Sequence, residues 1–241
     1  FDSGREISGV DLNNDGTVDI VQHTNRSGAY SLTVINNNGN GTLSIGQNLT
    51  NVFVVNASNT TTAASMTWAD FNGDGYMDLY LGSSYNNNGG GIYYNDGTGK
   101  LSATKSAVEA SNATAGYLSV AVDWNGDGQM DIIKLSTYGG SQTATLFTNS
   151  GYGSTWTSSQ LASGIAYATG VAAVDYNWDG AQDLLVSQQN GKVVLVQNSK
   201  TIADGTAMHL HIVDSEGINA YYGNTVNLYN AAGVLVASQI I

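Results

Sequence analysis

The sequence predicts an all-β protein, a β-propeller assembled from four-stranded antiparallel blades. Three observations predict it. The nine-residue pattern Asp-x-Asn-x-Asp-Gly-x-x-Asp occurs four times, starting at residues 11, 70, 123 and 175. These starts lie 59, 53 and 52 residues apart, and a period above about 50 with several strands per unit is what propeller blades show. Each copy sits between apolar segments that alternate with period two, as Val18 and Ile20 or Met77, Leu79 and Leu81 do, so strands rather than helices flank it.

The four units read alike. A short apolar strand leads into the loop at 7–10, 65–69, 117–122 and 169–174. A second strand leaves it at 18–21, 77–81, 130–133 and 183–186, and a third follows at 30–35, 91–94, 144–147 and 192–196. In the first three units a turn of the form Asn-x-Gly-x-Gly comes next, at 37–41, 95–99 and 149–153. Its glycines allow the positive φ of a tight hairpin. The turn feeds a fourth strand containing Leu43, Leu101 or Trp156. Four antiparallel strands make a blade, which places blades at about 1–55, 56–107, 108–162 and 163–200.

The loops carry the chemistry. Oxygen-bearing side chains at loop positions 1, 3, 5 and 9 suit a hard cation that takes roughly six to eight oxygen ligands, with a backbone carbonyl at position 7. The glycine at position 6 permits the sharp turn around an ion. The spacing matches the first part of a helix-flanked calcium loop but lacks its distal Glu at position 12. Charge points the same way. Of the 19 acidic residues, 12 are the aspartates at positions 1, 5 and 9 of the four loops, and the remaining 7 face 7 Lys and Arg. The net charge of −12 therefore resides in the loops, and four divalent cations would bring it to about −4. Without a cation, three carboxylates within nine residues repel one another.

The units resemble the FG-GAP (VCBS-type) repeats of the integrin α-subunit head and of many bacterial surface proteins, over roughly residues 1–200. The resemblance implies calcium in the loop between the first two strands of each blade, about four Ca2+ ions in all. Matched by position, the ligands would be Asp11, Asn13, Asp15 and Asp19 with the carbonyl of Thr17, and Asp70, Asn72, Asp74 and Asp78 with that of Tyr76. In the third and fourth loops they would be Asp123, Asn125, Asp127 and Asp131 with the carbonyl of Gln129, and Asp175, Asn177, Asp179 and Asp183 with that of Ala181.

Two features depart from the family pattern. Its propellers usually have seven blades, so either further blades complete the ring or a smaller ring closes with strands the repeat does not reveal. The fourth unit also lacks the Asn-x-Gly-x-Gly turn and changes character after Asn198. The tail, 201–241, reads as strands at 208–213, 225–229 and 234–241 with a hairpin turn at 230–233. It is either an incomplete final blade or a small β module. Through Gly223-x-x-Val226-x-Leu228 it resembles the ASPIC/UnbV-type module that follows such propellers.

Composition excludes several classes. There is no Cys, hence no disulfide framework and no thiol chemistry. The acidic balance opposes nucleic acid and anionic membrane surfaces, and no apolar run is long enough to insert in a membrane as a helix. No Gly-x-Ser-x-Gly and no phosphate loop occur, His209 and His211 have no third ligand near them in sequence, and the acids outside the loops are scattered. The expectation is that the chain is not an enzyme. The position-2 residues Leu12, Phe71, Trp124 and Tyr176 are hydrophobic in every unit, which favours packing between blades over stacking on sugars. With no initiator Met or signal peptide, and with Ile241 inside an apolar run, the chain reads as a piece of a longer polypeptide.

The functional expectation is a calcium-stabilised adhesion or binding module of a larger bacterial surface or secreted protein. It would be extracellular or at the cell surface, with the periplasm as the other compartment, because extracellular calcium modules work at roughly 10⁻⁴–10⁻³ M. Its partner would be a protein or glycan ligand on another surface, with no nucleic acid and no membrane insertion. The alternatives are a carbohydrate-binding propeller lectin, or a scaffold segment of a secreted toxin or polysaccharide-active enzyme. The enzyme would need a basic residue with an acidic partner in the central channel.

Overall fold

A computed structural model describes residues 3–26, 29–50, 52, 65–82, 90–109, 118–135, 143–165, 167–200, 225–229 and 235–240. Every element in these stretches is a strand. Blade 1 is β1 (Ser3–Val10), β2 (Asp19–Arg26), β3 (Ala29–Asn37) and β4 (Leu43–Thr50), paired in that order. Blade 2 is β5 (Met66–Ala69), β6 (Asp78–Leu81), β7 (Gly91–Tyr93) and β8 (Ser106–Ala107). Blade 3 is β9 (Leu118–Val122), β10 (Asp131–Leu135), β11 (Thr143–Ser150) and β12 (Thr155–Ser163). Blade 4 has three strands among the described residues, β13 (Ala168–Val174), β14 (Asp183–Gln188) and β15 (Val193–Val196). All pairings within the blades are antiparallel meanders. Among the described residues no sheet closes on itself.

The blades stack face to face in chain order, and each junction is a separate apolar cluster. Val10, Leu12, Val21 and Leu32 of blade 1 meet Met77, Leu79 and Tyr93 of blade 2. Phe71, Tyr80 and Ile92 of blade 2 meet Ile132 and Phe147 of blade 3. Val122, Trp124 and Ile133 of blade 3 meet Leu184 and Val186 of blade 4. The second strands show which blades are flanked on both faces. β6 and β10 are buried at every residue, whereas β14 alternates buried with more exposed positions. β2 alternates likewise. Blades 2 and 3 thus lie between neighbours, and blades 1 and 4 carry partly exposed outward faces with Ile7 and Ile45 on one and Val193 and Leu195 on the other. First strands β5, β9 and β13 run side by side, as innermost strands of a propeller do.

In blades 2, 3 and 4 an asparagine at the end of the third strand fastens the blade to the one before it. The Nδ2 of Asn95 donates to the Leu12 carbonyl at 2.7 Å, that of Asn149 to the Phe71 carbonyl at 2.9 Å and that of Asn198 to the Trp124 carbonyl at 2.9 Å. Each acceptor is the position-2 residue of the preceding loop. The same amide groups also donate within their own blades to the carbonyls of Met77, Met130 and Gln182. The position-2 side chains pack as expected for Leu12, Phe71 and Trp124, while Tyr176 on the outward side of blade 4 is 44% exposed. A buried ion pair, Lys134 Nζ to Glu109 at 2.6 Å, adds to the junction of blades 2 and 3, and the Tyr80 hydroxyl donates to the same carboxylate. Burial raises the Tyr80 hydroxyl well above its usual range, with the Glu109 charge adding to the effect, and burial lowers the Lys134 ammonium.

One expected strand position is corrected. Leu101 does not belong to a fourth strand. It forms an isolated bridge with Asn95, and the chain then bends where the Ser102 hydroxyl donates to the Thr104 carbonyl, so β8 begins only at Ser106. In the tail, β16 (Thr225–Tyr229) and β17 (Leu235–Ile240) pair as an antiparallel hairpin. The expected strand 208–213, the turn 230–233, His209 and His211 lie outside the described residues.

Replacing Asn95 by Ala strands the buried Leu12 and Met77 carbonyls and should cost roughly 1–3 kcal/mol. Asn37 reaches back only to Val18 of its own blade, at 3.3 Å. Asn37→Ala should therefore destabilise less. Urea unfolding of both variants checks this, and equal losses would contradict the role of the bond between blades.

Candidate metal centres

The four loops fold the same way because the same side chains satisfy the same amides. At position 1, Asp11 accepts the Asp15 and Gly16 amides at 3.2 and 2.9 Å. Asp70 accepts those of Asp74 and Gly75, Asp123 those of Asp127 and Gly128, and Asp175 those of Asp179 and Gly180. At position 3, each Asn accepts the position-5 amide through Oδ1 and donates Nδ2 to the position-5 carboxylate, at 2.9 Å for Asn13, Asn72 and Asn125 and 2.7 Å for Asn177. The position-5 carboxylate then accepts the amide of position 7, that is Thr17, Tyr76, Gln129 or Ala181. Position 6 is glycine with φ between 83° and 89° in all four loops. At Gly16 and Gly128 an added Cβ would meet nothing within 4 Å, so the left-handed backbone and not crowding requires glycine there.

Positions 1, 3 and 5 therefore converge within each loop, with position 5 at the exposed tip and position 1 half-buried or, for Asp11, buried. Position 9 is placed differently. Asp19, Asp78, Asp131 and Asp183 are all within 1% of full burial. One oxygen of each accepts the position-2 amide of its own loop, from Leu12, Phe71, Trp124 or Tyr176 at 3.1–3.3 Å. The other accepts the amide of Asn37, Asn95, Asn149 or Asn198 at 2.7–2.8 Å. The carboxylate thus ties its loop to the third-strand asparagine, which in blades 2, 3 and 4 fastens the preceding blade. Sequence reading missed these four asparagines as functional residues. The signal was that Asn198 keeps the position in the one unit that lacks the glycine turn.

Burial sets the electrostatics. It pushes the Asp78 carboxyl up to about 7 and Asp131 up to about 6, with the loop's other aspartates adding to the rise and the two amide bonds opposing it. Asp19 and Asp70 are raised by burial as well. Asp15 at the exposed tip is lowered by the hydroxyl and amide of Thr17.

The donor set fits a hard cation. Every side chain pointing into the loops offers oxygen, and a carboxylate has about four acceptor sites, so two amide bonds leave capacity for an ion. Among the described residues no group of three or more His, Cys, Asp or Glu forms a ready-made metal cluster. Each loop would draw on its asparagine and a backbone carbonyl to complete the shell.

A protein-family model for FG-GAP-like repeats matches residues 11–81 and 123–186, more than half of the chain and all four loops. The chain belongs to the FG-GAP-like repeat family. Its blades, loops and strand order are those of an FG-GAP β-propeller. Among solved structures, one describing specific recognition of non-reducing terminal N-acetylglucosamine by an Agrocybe aegerita lectin is similar in fold, with a TM-score of 0.53 and 19% sequence identity. That likeness covers 98% of this chain but 65% of the lectin chain, so the FG-GAP array spans less than two thirds of that structure. No curated protein matches the chain. The ASPIC/UnbV resemblance of the tail finds no counterpart in these comparisons.

The raised carboxyls fix a pH dependence. Between the unfolded carboxylate range near 4 and the folded values of about 6 and 7, the metal-free folded state binds protons that the unfolded chain has released. Stability of protein stripped of divalent cations should therefore fall as pH rises from about 4 to about 7, and these groups should contribute no further change above that. Melting temperatures across this range provide the check, and a rise with pH would contradict the burial of position 9.

Proposed function

We propose that this FG-GAP array is a calcium-stabilised, non-catalytic binding module of a larger extracellular protein, a bacterial surface or secreted one. The observation that carries the reading is the fourfold recurrence of one oxygen-lined loop geometry, with nearly all the excess negative charge of the chain placed inside it. A divalent cation would neutralise the tip carboxylates and relieve their mutual repulsion. It would also hold rigid the loop whose position-9 carboxylate anchors the next contact between blades. Calcium is favoured over smaller cations because a loop with backbone and amide oxygens gives the larger, more flexible shell.

The partner is a glycan or protein on another surface, in an adhesive role. Support for a binding role comes from the family, whose repeats build propellers, and from the lectin of like fold. The polysaccharide-active alternative called for a basic residue with an acidic partner in the central channel. Lys134 and Glu109 form such a pair, but it is sealed between blades 2 and 3, and this favours a structural part for it.

Calcium bound to the folded state alone stabilises it by roughly 1–3 kcal/mol per site at about 10- to 100-fold excess over Kd. Calcium should raise the melting temperature well above that of chelated protein, and an unchanged curve would sink the proposal. Asp127→Ala should remove one calcium equivalent in isothermal titration and leave three. Loss of all four would show that the loops do not bind independently.

A further inference from the structure

We infer that the cleft between blades 2 and 3 is a binding site for a neutral saccharide; this rests on the binding-module reading and names its ligand class. The cleft measures about 530 Å³ and is lined by Tyr94, Tyr152, Trp156, Asn72, Ser106 and Ser154 together with small apolar residues. That is within the range of small-molecule sites, about 300–1,000 Å³. No lining residue is charged. Three aromatic rings with two serine hydroxyls match a pyranose, which has an apolar face for stacking and an equatorial rim of hydroxyls for hydrogen bonds. An anionic or cationic ligand would find no counter-charge here.

The rings are held in place. The Tyr94 hydroxyl and the Trp156 indole both donate to the Gly153 carbonyl, at 2.8 and 3.1 Å. Trp156 is further set by an edge contact with Phe71, ring centroids 5.9 Å apart. Tyr152 is 64% exposed and has a left-handed φ of 53°, with its amide donating to Gln129 Oε1 at 2.6 Å. Its ring crosses to blade 2 and lies against Gly73, where an added Cβ would approach it to 2.7 Å.

The repeat supplies the control. The residue before the fastening asparagine is Tyr94 in blade 2 but Asn36, Thr148 and Gln197 elsewhere. Three residues after it stand Asn40, Thr98 and Tyr152 in blades 1, 2 and 3. The residue paired with it is Leu43, Leu101 or Trp156. The blade framework is built at every junction without these rings, and only at the junction of blades 2 and 3 do all three slots hold aromatics. Tyr94 and Trp156 also pack against the apolar cluster of this junction, whereas the exposed Tyr152 ring extends the cleft beyond it.

The test uses the whole chain with calcium, titrated by calorimetry and by ligand-observed NMR with free neutral hexoses and N-acetylhexosamines at millimolar concentration. Melting curves with and without calcium are recorded on the same samples. Tyr152→Gly removes one ring at a position whose φ suits glycine, so the fold is retained. Tyr167→Gly, another exposed tyrosine of left-handed φ, away from the cleft, is the control. The expected result is saturable binding that weakens at least about tenfold in Tyr152→Gly and is unchanged in Tyr167→Gly. Absence of saccharide binding, or equal binding by both variants, would overturn the assignment. If calcium still raises the melting temperature in that case, the calcium-stabilised module stands and only the cleft assignment fails. Saccharide binding lost in Tyr152→Gly without any calcium response would support the cleft and sink the calcium reading.

Discussion

The contact on which the rest of the structure depends is the buried aspartate at loop position 9. Its two oxygens take two backbone amides from different parts of the blade, one at the start of the loop and one at the end of the third strand. A buried carboxylate is costly unless its oxygens are satisfied. Here the satisfying amides belong to residues that matter for the next level of structure. The position-2 residue inserts its side chain between blades and offers its carbonyl to the following blade. The asparagine donates to the carbonyl of the preceding blade. One side chain therefore couples the loop, the sheet and the junction between sheets. That coupling explains why a change at an exposed loop tip, such as ion binding, would be felt in the stacking of blades.

Repetition turns this contact into an architecture. Three junctions are made by the same chain of hydrogen bonds, and each has its own apolar cluster with no need of a single central core. Such a design leaves the surface free to vary. The loop tips keep their aspartates and asparagines in all four blades, yet position 4 ranges from Asn14 and two glycines to Trp178, which is 75% exposed. The aromatic cleft at the middle junction is variation of the same kind, with Tyr94 and Trp156 packed on the junction cluster and Tyr152 exposed beside them.

Much of this was legible in the sequence, and the reasons are local. Nine residues with oxygen at four positions and glycine at the turn fix a loop almost independently of context, and strands of period two on either side fix its surroundings. The blade order and the packing of Leu12, Phe71 and Trp124 followed from that pattern. What was not legible depends on contacts far apart in the chain. Asn95 reads as a turn residue, and its bond to Leu12 spans 83 positions. Position 9 reads as one more candidate ligand, and only its near-complete burial and its two backbone amides distinguish it from the exposed aspartate at position 5. Leu101 continues an apolar pattern, but a bend after Ser102 removes it from the strand. The cleft is made by Tyr94 and Tyr152 from separate blades, and no spacing along the chain places their rings together.

The most direct measurement is amide hydrogen exchange at Asn95 and Asn149, the donors to Asp78 and Asp131, with calcium and with chelator. If the buried aspartate links ion, loop and blade junction, calcium should slow exchange at these two amides as well as at the loop tips. Slowing confined to the tips, with Asn95 and Asn149 unchanged, would contradict the coupling.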